Sequence, residues 1–266
     1  MPRRRADLLL VARGLFESRA KAQEAIAAGL VTSDGIVLRK ASEAIAESAD
    51  IAAKAPYPWV SRGGVKLAAA LDAFQVFPAG KICLDIGAST GGFSHVLLTR
   101  GAAKVYAVDV GRGQIHKSLV DDPRLVSLEQ QDARALCAEM FVSPPQLIVC
   151  DVSFISLKLA LPHALALAAS GAQLVALIKP QFEAGPGQVK KGVVKDPEIH
   201  QRVCAEIADF LAQNGWRVMG AIPSPIAGGD GNKEFLIAAD RIFEIGRAHD
   251  TRKSAALYSA DSVSSP

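Results

Sequence analysis

Residues 85–93 read DIGASTGGF, a glycine-rich turn that begins inside the apolar run 82–86. Glycines placed where a strand ends allow the backbone to turn tightly and to approach a ligand. The spacing is D-x-G-x-x-x-G-G, which differs from the G-x-G-x-x-G pattern of dinucleotide-binding turns. An acidic residue at the entry to the turn favours a ligand that carries a cation over one that carries a pyrophosphate. The stretch therefore predicts a strand, a turn and a helix with a ligand site at the carboxyl end of the strand.

Apolar runs of similar length recur along the chain, with helical segments between them. They cover residues 82–86, 104–109, 125–130, 146–151 and 173–179. Strands that alternate with helices predict an α/β fold, a doubly wound Rossmann-like sheet with helices on both faces. Two further runs, 216–222 and 234–239, have no helix between them and are expected to pair as a hairpin at one edge. The tail 245–266 is polar and weakly patterned, and is expected to be disordered.

Carboxylates stand at the ends of four successive predicted strands. The carboxyl ends of parallel strands share one edge of a sheet, so these groups are expected to lie together. Each acid alone is more often a helix cap, but four on one edge favour a site for S-adenosylmethionine, whose amino group and sulfonium are cationic. Asp109 would accept hydrogen bonds from both ribose hydroxyls, and Asp132 would accept one from the adenine amino group. The expected cofactor-binding residues are Asp85, Gly87, Ala88, Ser89, Gly91, Gly92, Phe93, Asp109, Asp132 and Asp151.

Residues 1–54 form a smaller predicted unit of mixed α and β structure. Residues 7–14 predict a first helix, Ser18 is expected to cap a second helix, and residues 31–38 have the strand-turn-strand pattern of a hairpin. Residues 1–21 carry six arginines and lysines against two acids. Such a patch suits a polyanion, although an ordinary solvated surface has the same composition. Residues 55–64, APYPWVSRGG, are rich in proline and glycine and are expected to be a linker.

The overall composition narrows the class of protein. The formal net charge of the 266 residues is only +3, so total charge does not indicate a polyanionic partner. The four cysteines form neither a C-x-x-C pair nor a metal-binding spacing, which favours a reducing, cytoplasmic location and no bound metal. Residues 159–178 carry no formal charge over twenty positions, which is the length of a membrane span. Pro162 and the pair Ser170-Gly171 interrupt this segment, so a helix, a turn and a buried strand from Gln173 are expected instead.

Four residues resemble the catalytic Lys-Asp-Lys-Glu tetrad of FtsJ-type ribose 2'-O-methyltransferases: Lys66, Asp151, Lys179 and Glu234. The local matches are SRGGVKL at 61–67, DVSF at 151–154, IKPQFE at 178–183 and GNKE at 231–234. The N-terminal unit resembles the RNA-binding domain shared with a small-subunit ribosomal protein, the S-four type. Its pattern D-x-x-L-x-x-x-G-x-x-x-S-R-x-x-A spans residues 7–22. The two domains in this order resemble the TlyA family of rRNA methyltransferases and haemolysin-named proteins over about residues 3–240.

This resemblance implies an enzyme that methylates a ribose 2'-hydroxyl of ribosomal RNA, with cytidine as the expected nucleotide and S-adenosylmethionine as the cofactor. Residues 65–244 would be the methyltransferase domain, and the partner would be ribosomal RNA or a ribosomal subunit. The sulfonium already activates the methyl group, so no metal is required. The residues expected to bind RNA are Arg3, Arg4, Arg5, Arg19, Lys21, Arg62, Lys190 and Lys191.

The tetrad suits the chemistry that the resemblance implies. A ribose hydroxyl is a poor nucleophile near neutral pH and must lose its proton as it attacks the methyl group. Lys179 would either accept that proton as a base or stabilise the developing alkoxide as a cation, and the sequence leaves both roles open. Lys66 would supply a second cation, while Asp151 and Glu234 would orient the lysines. Taken singly, each residue is more often a surface charge, but the joint match favours catalysis.

Other features leave alternatives open. Segment 185–195, GPGQVKKGVVK, has three lysines and no acid, which suits either a clamp on RNA phosphates or a flexible surface loop. Phe154 would stack on the target base or lie in the core. Two other functional classes remain: a membrane-acting haemolysin, supported by the uncharged segment 159–178, and a catalytically inactive RNA-binding assembly factor, against which the intact tetrad argues.

Overall fold

The computed structural model describes residues 2–185, 187–228 and 231–242. The helices in these ranges are α1 (Ala6–Ala12), α2 (Arg19–Ala27), α3 (Gly63–Ala73), α4 (Gly92–Thr99), α5 (Lys117–Val120), α6 (Leu157–Ala160), α7 (Pro162–Leu167), α8 (Pro180–Glu183) and α9 (Pro197–Gln213). The strands are β1 (Arg3–Arg5), β2 (Val31–Ser33), β3 (Ile36–Val37), β4 (Ala44–Ala46), β5 (Ile51–Ala53), β6 (Ile82–Ile86), β7 (Lys104–Asp109), β8 (Leu125–Glu129), β9 (Leu147–Cys150), β10 (Gln173–Ile178), β11 (Trp216–Pro223) and β12 (Phe235–Arg241). Short 3-10 helices cover Ala133–Ala135 and Ala138–Met140. The tail expected to be disordered lies outside the described residues.

The N-terminal part combines α1 and α2 with five short strands. β1 pairs with β4, and β2 pairs with both β3 and β5, all antiparallel. Ser18 accepts a hydrogen bond from the Lys21 backbone N–H at 3.2 Å, which confirms the predicted helix cap. The predicted hairpin is confirmed as β2 and β3, joined at Asp34-Gly35, where both residues have positive φ. The buried apolar side chains of residues 6–45 form a core separate from the two cores of the large sheet.

The large sheet has seven strands in the order β11-β12-β10-β9-β6-β7-β8. Neighbours from β10 to β8 are parallel, whereas β12 runs antiparallel to both β10 and β11. The predicted doubly wound sheet and edge hairpin are therefore confirmed. Successive side chains of β6 face opposite sides, so Cys83 packs in one core, with α3 and α4, while Leu84 packs in the other, with α7 and α9.

The uncharged segment 159–178 is divided as predicted. It contains the end of α6, the short helix α7 and then β10, whose residues 174–178 are buried in the middle of the sheet. Among the described residues, no helix combines the length and the apolar character needed to cross a membrane.

Candidate active site

The site lies at the carboxyl edge of the parallel strands. Asp85 is near the end of β6, Asp109 is the last residue of β7, Asp151 follows β9 and Lys179 follows β10. The strand β6 lies between β7 and β9, so the sheet extends through β7 and β8 on one side of β6 and through β9 and β10 on the other. Open α/β sheets bind their ligands in the crevice at such a switch point. The sheet therefore brings four of the expected site residues to the edge where a ligand is expected.

Sheet register explains how Glu234 reaches this edge from a distant part of the sequence. Ile178 pairs with Phe235 in the antiparallel ladder of β10 and β12. Lys179 follows Ile178 and Glu234 precedes Phe235. These two residues therefore occupy opposing positions at the end of the ladder. Helix α3, which carries Lys66, packs against both strands.

The expected tetrad is arranged as two ion pairs. Lys66 Nζ donates to Glu234 Oε2 at 2.5 Å, and the side chains are only 10% and 2% exposed. Lys179 Nζ lies 2.7 Å from Asp151 Oδ1 and donates to Ser153 Oγ at 2.8 Å. The sequence motif DVSF contains Ser153, but no local signal had assigned it a partner. Each lysine is thus held by a carboxylate, and Lys179 is held by a hydroxyl as well.

The glycine-rich turn allows backbone to approach the tetrad. Gly87 has φ +80, and a Cβ built there would lie 2.6 Å from the carbonyl oxygen of Asp151. A Cβ at Gly92 would collide with Ser61 Oγ, immediately before α3. Any side chain at either position would push the turn away from Asp151 or α3. The two glycines therefore keep the expected cofactor turn in direct contact with the tetrad elements.

The two acids that flank this turn have different surroundings. Asp109 accepts the backbone N–H of Ser89 at 2.8 Å and that of Gly111 at 2.7 Å. Asp85 is fully buried, and one of its oxygens accepts the Ser94 hydroxyl at 2.6 Å while the other has no hydrogen-bond partner. Burial raises the pKa of Asp85 to about 7, with Ser94 opposing the shift and the charge of Asp151 adding to it. A cationic group placed near Asp85 would stabilise its charged form.

We expect Asp85→Asn to raise thermal stability at pH 8.5 but not at pH 5. The folded-state pKa, about 7, lies above the ordinary value, so folding favours the protonated acid. The parent therefore loses stability as pH rises from about 4 through 7, whereas asparagine is neutral throughout. Thermal unfolding at pH 5, 7 and 8.5 measures the difference, with the exposed Asp209→Asn on α9 as control. An identical pH dependence for Asp85→Asn and the parent would contradict the buried, neutral carboxyl.

A cavity of about 440 Å³ opens where the N-terminal part meets the large sheet. Its walls come from three parts of the chain: α2 and its cap, the segment 57–63, and the carboxyl edge of the sheet. The lining residues are Ser18, Ala20, Lys21, Glu24, Tyr57, Val60, Ser61, Arg62, Gly63, Gly87, Ala88, Ser89, Thr90, Gly92, Phe93, Asp151, Ser153 and Lys179. Seven expected cofactor or tetrad residues therefore share one cavity with six expected RNA-binding or linker residues: Lys21, Tyr57, Val60, Ser61, Arg62 and Gly63.

Polar contacts hold the N-terminal part in place over this cavity. Tyr57 donates its hydroxyl to Glu24 on α2 at 2.8 Å. His116, which lies beside the turn and donates its backbone N–H to Thr90, places Nε2 2.9 Å from Glu17 Oε2. The first contact holds α2 on the segment 57–63, and the second links the residues before α2 to the cofactor side of the sheet. They were not predictable from the sequence, because neither pair shares a motif or a regular spacing.

Asp132 has a local partner. Its carboxylate caps the 3-10 helix Ala133–Ala135 by accepting the Arg134 backbone N–H at 2.8 Å, and it forms a 2.6 Å ion pair with the Arg134 side chain. The guanidinium lowers the pKa of Asp132 to about 2. The expected contact between Asp132 and an adenine amino group stays a prediction, which has to compete with Arg134.

Several expected RNA-binding side chains are held on the surface by internal contacts. Arg5 and Arg19 both pair with Asp7, at 3.0 and 2.9 Å, and Asp7 is completely buried. These arginines lower the pKa of Asp7 strongly, despite its burial. A guanidinium has five N–H donors, so each arginine keeps donors for another ligand. Asp7 thus fixes two cations side by side at the beginning of the N-terminal unit.

The remaining expected RNA-binding residues are spread around the cavity and beyond it. Arg62 donates to the carbonyl of Ala227 at 2.7 Å and lies 3.5 Å from Glu24. Lys21 lies at the cavity wall, 3.4 Å from the carbonyl of Trp59. The other four are exposed: Arg3, Arg4, Lys190 and Lys191.

Phe154 is not a core residue. Its side chain is 89% exposed, its φ is +64, and its ring centroid lies 5.0 Å from that of Phe182. Positive φ is uncommon for a bulky residue and marks a position held by its surroundings. An exposed aromatic ring thus stands three residues beyond Asp151.

Comparison with known proteins gives the same two parts. A family model described as FtsJ-like methyltransferase matches residues 59–241, and an S4 domain model matches residues 4–51. A 16S/23S rRNA (cytidine-2'-O)-methyltransferase TlyA from Mycobacterium tuberculosis is 45% identical over 238 residues, covering 88% of this chain and 89% of the relative. Hemolysin A from Brachyspira hyodysenteriae is 39% identical, covering 87% of this chain and 98% of the relative. A solved structure from Streptococcus thermophilus, provisionally named a hemolysin, is 42% identical with a TM-score of 0.72, covering 91% of this chain and 90% of that chain.

Proposed function

The chain belongs to the FtsJ-like methyltransferase family, and from this premise we propose that it methylates the ribose 2'-hydroxyl of a cytidine in ribosomal RNA. The observation that carries the proposal is the tetrad: two lysine-carboxylate pairs, from α3 and from positions adjoining β9, β10 and β12, at the carboxyl edge beside a glycine-rich turn. The name of the 45% identical relative supports cytidine and both ribosomal subunits as targets.

The residues at the edge suit S-adenosylmethionine, which supplies an activated methyl group when bound. Asp85 has a buried oxygen without a hydrogen-bond partner, and a nearby ammonium would compensate its charge. Asp109 would accept the ribose hydroxyls with the lone pairs that Ser89 and Gly111 leave free. The remaining holders would be Gly87, Ala88, Gly91, Gly92 and Phe93, through the turn, together with Asp151.

Lys179 is the group proposed to act on the acceptor hydroxyl. An ammonium has three donors. Ser153 accepts one of them at 2.8 Å, and Asp151 is the ion-pair partner at 2.7 Å, so a donor remains for the acceptor oxygen. In this position Nζ can stabilise the developing alkoxide or, as a neutral amine, accept its proton. Asp151 and Ser153 fix the direction of Nζ, while the buried Lys66–Glu234 pair supplies a second cation of defined position.

The N-terminal unit is proposed to hold the RNA. We assign residues 1–54 to an RNA-binding domain, 55–64 to a linker whose last two residues already begin α3, and 65–244 to the methyltransferase domain. Asp7 presents Arg5 and Arg19 together, in a geometry that suits neighbouring phosphates. Arg62 and Lys21 would continue this surface into the cavity, and Phe154 would stack on the base of the target nucleotide.

We expect the purified protein to transfer label from radioactive S-adenosylmethionine to ribosomal RNA in unmodified ribosomal subunits. The labelled position should resist alkaline cleavage, because a methylated 2'-oxygen cannot attack the neighbouring phosphate. Alkaline hydrolysis followed by nucleoside analysis identifies the product, with fully modified subunits as the control substrate. Label recovered in an alkali-labile mononucleotide would place the methyl group on a base and contradict the proposed function.

A further inference from the structure

The exposed lysines of segment 185–195 lie on a well-defined turn. We call residues 190–193 the basic turn. The backbone N–H of Lys190 donates to the carbonyl of Val193, and that of Val193 donates back to Lys190, both at 3.1 Å. Lys191 and Gly192 have φ +51 and +78, which is the conformation of a tight two-residue reversal. The basic turn belongs to none of the three sheets in the described residues, so its position depends on other contacts.

A buried asparagine provides those contacts. Asn232 is only 2% exposed. Its Oδ1 accepts the backbone N–H of Val194 at 3.2 Å, and its Nδ2 donates to the carbonyl of Gly192 at 2.9 Å. On the other side, the buried His200 of α9 donates from Nε2 to the carbonyl of Val194 at 2.9 Å. Both backbone groups of the buried Val194 are therefore satisfied by side chains, which fixes the end of the basic turn.

The same short segment carries Glu234 of the tetrad. Asn232 lies two positions before Glu234, and its backbone carbonyl accepts the backbone N–H of Gly228 at 2.9 Å. Gly228 packs so closely on Glu234 that a Cβ there would overlap the carboxylate. Asn232 is thus connected along the backbone, through Lys233, to Glu234 of the Lys66–Glu234 pair. Its side-chain amide connects it to the basic turn. The lysines of the turn consequently have a defined position relative to the tetrad.

We propose that Asn232 is a positioning residue for RNA: it holds the basic turn so that Lys190 and Lys191 contact backbone phosphates next to the acceptor ribose. The proposal rests on the proposed function for the identity of the polyanion. An asparagine amide both donates and accepts, which is what the Gly192 carbonyl and the Val194 N–H require. Without that amide the lysines remain on the chain but lose their fixed direction, and a phosphate contact then costs more ordering entropy.

A double-mutant cycle tests this positioning role. Lys190→Gln/Lys191→Gln is expected to make RNA binding less sensitive to salt. The magnitude of the negative slope of log K against log salt should fall by about 1–2, because each lost phosphate contact reduces it by about 0.7–0.9. Asn232→Ala should also reduce the magnitude of this slope, and it should raise KM for RNA. The variant that combines all three substitutions should bind RNA no more weakly than the weaker-binding of its two component variants, since both components remove the same interaction. Cofactor affinity should stay unchanged in all three.

A control variant and an alternative substitution at Asn232 distinguish a loss of positioning from a general loss of folding. Asn214→Ala removes an exposed asparagine amide from the end of α9 and should leave the salt slope unchanged. Should Asn232→Ala fail to fold, Asn232→Asp keeps the acceptor for Val194 but loses the donor to Gly192, and should also lower the slope. An unchanged salt slope, or additive losses in the combined variant, would overturn the inference. Parent protein that binds RNA without methylating it would instead contradict the proposed function, because the cycle is read from binding alone.

Discussion

Lys179→Met is expected to reduce the rate of methyl transfer by at least about 100-fold, with little change in the affinity for cofactor or RNA. The amine stands 2.7 Å from Asp151 and 2.8 Å from Ser153, at the end of β10 and in the wall of the cavity. Methionine preserves most of the apolar stem, so the fold should tolerate it. The variant lacks only the group that faces the acceptor oxygen in the transition state, and such a loss lowers turnover rather than binding.

Single-turnover rates and calorimetric affinities measure this effect. The matched control is Lys158→Met on α6, where the lysine pairs with Glu206 at 2.8 Å outside the cavity. That control should retain near-parental turnover. Ser153→Ala should cause a smaller loss than Lys179→Met, because it removes one of two groups that orient the amine. Near-normal turnover by Lys179→Met would remove this lysine from the mechanism.

The strands of the large sheet were predictable because they are short apolar runs, and those in the middle of the sheet, such as β9 and β10, are buried on both faces. The prediction for 104–109 matches β7 at both ends, and the run 125–130 ends one residue early, at Glu129, because Gln130 has φ +55. Parallel order then placed Asp85, Asp109 and Asp151 on one edge. The beginning of α3 was less predictable, because Gly63 and Gly64 indicated a linker. Gly64 is in fact needed for contact with Trp59.

Contacts between distant segments were not predictable from composition or spacing. The tetrad residues were found through their resemblance to a family motif, whereas their arrangement depends on the register that opposes Lys179 and Glu234. No pattern indicated that Glu24 would bind Tyr57, or that Asp7 would be the buried acceptor for Arg5 and Arg19. The Tyr57 contact depends on how the segment after the N-terminal unit packs on α2, and the Asp7 contacts depend on how α1 and α2 pack together. The local sequence does not encode either arrangement.

The second large effect is expected at the buried ion pair between Lys66 and Glu234. Lys66→Met should lower the free energy of unfolding by about 3–5 kcal/mol, because it leaves the Glu234 carboxylate buried without its cation. The carboxylate is 2% exposed and is covered by the backbone of Gly228, so water cannot readily replace the lysine. A loss of this size is a large share of the total stability of a typical domain. Urea unfolding at neutral pH measures it.

The double variant Lys66→Met/Glu234→Leu separates stability from chemistry at this pair. Removing both charges leaves no uncompensated ion, so most of the lost stability should return, as apolar replacements of buried pairs often allow. Methyl transfer should stay low, because the second cation near the acceptor is still missing. Lys179→Met, on the better hydrated pair, should show the opposite behaviour, with high stability and little activity. A destabilisation below about 1 kcal/mol by Lys66→Met would show that the pair behaves as a solvated surface pair. Full activity in the double variant would show that the pair serves the fold alone.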